Sequence, residues 1–226
     1  MLVFVHGVPE TAAVWDRLRP LLQTDSVALQ LPGFGVARPD GFGATKDEYV
    51  DWIVGRLDEI GAPVDLVGHD WGAAFTYRVA TAHGDRLRSW AADVANVMHA
   101  EYQWHDFARV WQTPGEGEQF FEQQLATPVE EQAEGFVPLG LARDDAVALL
   151  AEVDATMAGS ILDLYRSALP NPRANWTDGW RPTSARGLVI HATDDPFGDL
   201  GLSRAVADSL GAGHESLQGC GHWWML

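Results

Sequence analysis

Cysteine, long apolar runs and positive charge are all scarce in this 226-residue chain. Cys220 is the single cysteine, so no disulfide framework can form within the chain, which fits a reducing compartment. No apolar run approaches the roughly 18 residues of a membrane span. The opening stretch "MLVFVHGVPE" lacks both the basic region and the long apolar segment of a secretory leader. A cytoplasmic location is the expectation. Basic residues are outnumbered, 15 Lys+Arg against 32 Asp+Glu, and the net charge of −17 argues against nucleic acid and anionic membranes as partners.

What is present is an ordinary soluble composition, 46% hydrophobic and 21% charged, in a chain long enough for one large α/β domain with an insertion. Short apolar runs read as strands at 2–6, 26–31, 64–69, 88–95, 187–192 and 214–218. Segments of helical period separate them at 11–22, 45–61, 72–84 and 202–213. Thr45 and Glu48 have the spacing of a capping box, and Gly61, Gly84 and Gly211 stand where helices should stop. Near-continuous apolar strands with helical crossovers predict a mostly parallel sheet with helices on both faces. The alternation lapses between 96 and 180, a stretch of helical segments broken by prolines. The division expected is therefore a core of 1–95 and 181–226 with a helical cap inserted at 96–180.

The strand "VDLVGH" ends at an acid, Asp70, inside Gly68-His69-Asp70-Trp71-Gly72. Glycines two residues to either side permit a sharp strand-to-helix turn that lifts the central side chain above the carboxyl edge of the sheet. A carboxylate there is already anionic at neutral pH and can attack carbon without a base, leaving an ester that water must later cleave. The competing reading is an acid that merely caps the following helix.

Three further stretches complete a constellation. His6-Gly7-Val8-Pro9 follows the first strand, where the Val8 N–H can join that of Trp71 as an oxyanion hole. His222, in "GCGHWW" after the last strand, sits where a general base belongs. "HATDDPFGD" offers an acid to orient it; Asp195 is the choice, with Asp194 and Asp93 as rivals.

With "HGVPE", "GHDWG", "DDP" and "GCGHW" in this order, the chain resembles the α/β-hydrolase fold over nearly its whole length. Within that fold it is most similar to the aspartate-nucleophile branch of epoxide hydrolases and haloalkane dehalogenases. The resemblance implies a covalent alkyl-enzyme ester and no cofactor. For an epoxide hydrolase it also implies cap tyrosines that donate to the opening epoxide oxygen. "LDLYRSALPNP" maps one of these to Tyr165, whereas "HDFARVWQTPGEGE" puts Phe107 where the other belongs; Tyr102 and His105 are the candidates to help. For a dehalogenase it implies two N–H donors around the halide; Trp71 can be one, and Val8 stands where an asparagine often supplies the second. An apolar epoxide is the favoured substrate and a haloalkane the alternative. A non-catalytic relative that binds an apolar ligand through the same pocket is the third reading. Trp71, Tyr102, Trp104 and Phe107 are expected to contact substrate, and Trp104, Phe107, Trp111, Phe120, Phe121 and Phe136 make the cap aromatic.

No metal is expected, since His99 and His105 lie six apart with no acid in ligand register. Both ends look short beside the resembled family, and an exposed sheet edge invites pairing with a second copy, so a homodimer is anticipated.

Overall fold

The computed structural model describes residues 1–61 and 63–226. Six strands form one sheet: β1 (Leu2–Val5), β2 (Ser26–Leu29), β3 (Val64–Gly68), β4 (Leu87–Ala92), β5 (Arg186–Ala192) and β6 (Gly213–Leu217). Their order is β2-β1-β3-β4-β5-β6, with every neighbouring pair parallel. The chain steps outward from β1 to β2, then crosses back over β1 to begin β3. This reversal opens a crevice between the carboxyl ends of β1 and β3, the place where open α/β sheets bind ligands.

Alternation along β1 shows how both faces are covered. Val3 and Val5 point into the larger core, with α1 (Lys46–Ile60), α2 (Trp71–Ala82) and α8 (Leu200–Leu210). Phe4 points the other way, to a smaller core containing Val14, Trp15, Ala146, Leu150, Trp223 and Met225. In α1 the buried stripe Tyr49, Val50, Ile53 and Leu57 has helical period. Its start is a capping box, Glu48 N–H donating to Thr45 Oγ1 at 3.3 Å and Thr45 N–H to Glu48 Oε2 at 3.0 Å. Gly61 and Gly211 close α1 and α8 in the left-handed conformation.

Two expected elements differ. The segment 11–22 is not one helix but two 3₁₀ turns, Ala12–Trp15 and Arg19–Leu21. Pro20 removes an amide hydrogen and crowds the preceding turn, which breaks a continuous helix at this point. Gly84 is not a left-handed stop either: α2 ends at Ala82, and Gly84 starts a short turn, Gly84–Arg86, that feeds β4.

Between β4 and β5 come five helices, α3 (Asp106–Gln112), α4 (Glu116–Ala126), α5 (Val129–Ala133), α6 (Arg143–Leu150) and α7 (Ala155–Ser167). The segment that carries them is tied to the sheet layer by specific polar links. Arg17 pairs with Asp145, and Arg38 Nη1 lies 2.8 Å from Asp163 Oδ2. Lys46, wholly buried, places its ammonium 4.2 Å over the Trp176 ring, whose indole N–H donates to Asp47 Oδ1 at 2.6 Å. No helix among the described residues is long and apolar enough to cross a membrane.

Candidate active site

The turn after β3 places the candidate nucleophile. Asp70 takes φ 52°, ψ −118°, a conformation that non-glycine residues rarely adopt, and α2 starts at the next residue. The bend is possible because neighbouring positions have no side chain: a Cβ on Gly72 would drive into the carbonyls of Val5 and His6, and one on Gly7 into Asp70 itself. The Asp70 side chain makes no capping bond to its helix. It remains about one-fifth exposed, and that exposure opens onto a cavity.

The cavity, of about 340 Å³, lies between the sheet's carboxyl edge and the helices of 96–180. Trp104, Phe107, Trp111, Phe120, Phe121 and Phe136 all line it, as do Asp70, Trp71, Tyr102, Tyr165 and His222. Phe107 is 46% exposed, so it stands partly outside the wall and offers no polar hydrogen. Tyr165, by contrast, is buried on α7 with its ring edge-on to Trp71 at 5.3 Å. Burial, and after it the Asp70 charge, push the Tyr165 phenol well above its ordinary value, and Tyr102 is raised by burial, Asp70 and Asp195. Both phenols keep their protons and can only be neutral partners at pH 7. His105 caps α3, its Nδ1 accepting from the Ala108 N–H at 3.2 Å; burial takes its pKa down to about 4, so the ring is neutral with its proton on Nε2.

Asp70, His222 and Asp195 are brought together. Val8 N–H donates to Asp70 Oδ1 at 2.9 Å, and the Trp71 N–H also acts on this carboxylate. His222 Nε2 is 3.9 Å from Asp70 Oδ2, beyond a direct hydrogen bond, while its Nδ1 is 2.9 Å from Asp195 Oδ2. Asp195 Oδ1 accepts from the Phe197 N–H at 2.8 Å, so the acid is itself held. Burial raises the Asp70 carboxyl against the pull of His222 and His69. Burial opposes protonation of His222, but Asp195 and Asp70 overcome it and its pKa is raised. Asp194 is not a partner of the imidazole; its Oδ1 accepts from Thr193 Oγ1 at 3.0 Å.

Asp93 is not a partner of His222 either. It belongs to a buried layer beneath Asp70 that sequence reasoning misses. His69 Nδ1 is 2.5 Å from Asp93 Oδ2, and its Nε2 is 3.0 Å from Glu10 Oε1, an ion pair bent away from a linear hydrogen bond. Burial alone would strip the proton from this imidazole, yet the two carboxylates raise its pKa well above 6.5. Glu10 in turn is lowered to about 2: burial opposes ionisation, and the His69 charge prevails. The glutamate also accepts from Gly7 N–H at 2.9 Å and from the Trp223 indole at 2.7 Å. A sequence signal existed in two acids and a histidine at the ends of three apolar strands, but nothing local says that they meet.

Glu10, His69 and His222 offer ligand atoms within 4.8 Å of one another, the geometry a cation could use. Both His69 nitrogens face carboxylates as proton donors, so this donor set forms an ion pair and does not present a free imidazole to a metal.

A glycine-flanked acid at the carboxyl edge of a parallel sheet, facing an acid-held histidine, defines the class as an α/β hydrolase architecture. The chain belongs to the alpha/beta hydrolase family, whose model matches residues 2–226. It is 32% identical to epoxide hydrolase A of Mycobacterium tuberculosis over 105 residues, 41% of this chain and 30% of that protein. It is 32% identical to a haloalkane dehalogenase of Mycolicibacterium smegmatis over 119 residues, 47% of this chain and 36% of that one. These matches thus span about a third of the relatives' length. Among solved structures, epoxide hydrolase A from Mycobacterium thermoresistibile shares the fold at TM-score 0.76 and 22% identity, covering 98% of this chain and 85% of that one. A haloalkane dehalogenase from Bradyrhizobium does so at TM-score 0.74 and 20% identity, covering 99% and 84%.

Proposed function

We propose that this chain is an epoxide hydrolase that converts a small apolar epoxide to a diol through an ester on Asp70, with residues 96–180 acting as the cap over the site. The observation that carries the reading is the pairing, in one aromatic cavity, of an open carboxylate with a buried phenol, Tyr165, that keeps its proton. Epoxide opening needs a donor for the oxygen on which charge develops, and a neutral phenol supplies it.

In this mechanism Asp70 Oδ2 attacks an epoxide carbon while Oδ1 stays against the Val8 N–H. The carbon–oxygen bond of the ring breaks, and the oxygen takes a hydrogen bond from Tyr165, then a proton from solvent or from protonated His222. Tyr102, whose phenol feels the same Asp70 charge, fills the second donor role that Phe107 cannot. Esterification removes the Asp70 charge that helps hold the His222 proton, so the imidazole releases that proton and is neutral when a base is needed. His222, oriented by Asp195, then takes a proton from water. The resulting hydroxide attacks the Asp70 carbonyl carbon, and the oxyanion forms on Oδ1 beside the Val8 and Trp71 amides. Its collapse breaks the Cγ–Oδ2 bond, so that the diol leaves with Oδ2 and the proton returned by His222.

The test is one turnover in heavy-oxygen water, followed by mass analysis of the peptide containing Asp70. Label in that carboxylate is expected; diol formed without it removes the mechanism.

One observation favours the second reading, haloalkane dehalogenase. The Trp71 and Trp104 rings stack 5.9 Å apart beside Asp70, and the Trp104 indole N–H has no partner among the described residues. Halide release measured alongside diol formation separates the two.

A further inference from the structure

Asp93, the first residue after β4, is 2% exposed, and its carboxylate meets three donors. Oδ1 accepts the backbone N–H of Asp70 at 2.9 Å. Oδ2 accepts the indole N–H of Trp224 at 2.6 Å and faces His69 Nδ1 at 2.5 Å. The Asp70 amide has few other options. The last sheet bond from this strand is His69 N–H to the Val5 carbonyl, at 3.1 Å, and Asp70 precedes the first turn of α2, where no helical acceptor exists. The residue also carries the left-handed φ that only its surroundings can enforce.

The other two donors belong to neighbouring segments of the same site. His69 bridges to Glu10, which holds the Gly7 N–H next to the Val8 amide. Trp224 lies two residues beyond His222 on the same terminal segment. One buried carboxylate therefore touches the nucleophile's backbone, the base-bearing segment and, through one imidazole, the oxyanion loop. Since His222 already bonds Asp195, Asp93 is not its acid.

We propose that Asp93 is a positioning residue: its carboxylate fixes the Asp70 backbone in the attacking geometry and, through His69 and Trp224, locks that backbone to the loops carrying Val8 and His222. This rests on the reading of Asp70 as nucleophile.

Asp93→Asn tests it. The amide oxygen can still take the Asp70 N–H, but its NH₂ group then faces two other donors, His69 Nδ1–H and Trp224 Nε1–H. The expected result is a folded enzyme in which ester formation, followed in a single turnover, falls about 100-fold while substrate KM is unchanged, the penalty of a small misplacement of the attacking atom. NMR of the wild type should show a protected His69 Nδ1 proton, and that signal should disappear in the variant. Trp224→Phe removes a single donor and should slow ester formation about three- to tenfold with that proton retained; it carries the test if the asparagine variant does not fold. Ester formation at the wild-type rate in either variant overturns the proposal. So does a defect confined to ester hydrolysis, which would place Asp93 on His222. Should the wild type esterify no epoxide, the functional reading fails on its own, and persistence of the His69 proton in Asp93→Asn still overturns the positioning role.

Discussion

Replacing Glu10 by glutamine should reveal how much the buried ion layer contributes to the folded state. The Glu10 side chain has no solvent exposure, and its pKa falls from 4.5 to about 2, with the His69 charge as the favourable cause against burial. A displacement of that size corresponds to about 3 kcal/mol at neutral pH. Because the folded value lies below the unfolded one, this stabilisation is complete above pH 4.5 and is lost as pH falls through 2. At pH 3.5 about 2 kcal/mol should remain. Glutamine keeps the shape and one acceptor oxygen but no charge, so Glu10→Gln should cost about 3 kcal/mol at pH 7 and about 2 at pH 3.5. For a chain of this size the former corresponds to a Tm lower by roughly 6–12 °C. His6 also weakens the fold in acid, since burial takes its pKa down to about 4 against a pull from Glu10. Without that pull the variant loses somewhat more from His6, so the deficit narrows at pH 3.5 by less than the Glu10 charge alone would give. Urea unfolding of both proteins at the two pH values is the assay. A deficit under about 1 kcal/mol at pH 7, or one that does not shrink at pH 3.5, refutes the reasoning.

Two further expectations concern the chemistry. Asp195→Asn removes the carboxylate that burial sets against but that chiefly raises His222, so the pH below which ester hydrolysis fails should move down while the rate falls by roughly 10³- to 10⁴-fold; an unmoved pH profile shows that His222 is not the base. Tyr165→Phe should slow ester formation from an epoxide by about 10²- to 10³-fold and leave ester hydrolysis intact. Tyr102→Phe should do the same to a smaller degree, and equal rates in wild type and both variants dismiss the phenols as oxygen donors. Halide displacement needs no such donor, so neither change should slow it.

The six strands were legible because a parallel sheet covered on both faces demands short, near-continuous apolar runs, and each such run ends within three residues of where the backbone leaves the sheet. The glycine pattern around Asp70 was legible for a similar reason: the close approach of α2 to β1 tolerates no Cβ at Gly72, and this steric fact is written in one residue. The 11–22 segment was misread because its apolar spacing outweighed Pro20. The Glu10–His69–Asp93 layer was hidden for a deeper reason. Its members lie at the ends of β1, β3 and β4, and only the strand order, with β1 inserted between β2 and β3, puts those ends side by side.

On the epoxide hydrolase reading, that same strand order accounts for a site that works without a phenol at Phe107. The crevice between β1 and β3 collects whatever the neighbouring loops supply, and the loop after β4 supplies Tyr102. The donor is demanded by the charge that forms on the opening oxygen, not by a particular position on α3. A side chain on another segment serves if it is buried enough to keep its proton and close enough to feel the Asp70 carboxylate. Tyr102 meets both conditions, raised first by burial and then by Asp70. Phe107 on α3 lines the cavity at 46% exposure with no donor role to fill.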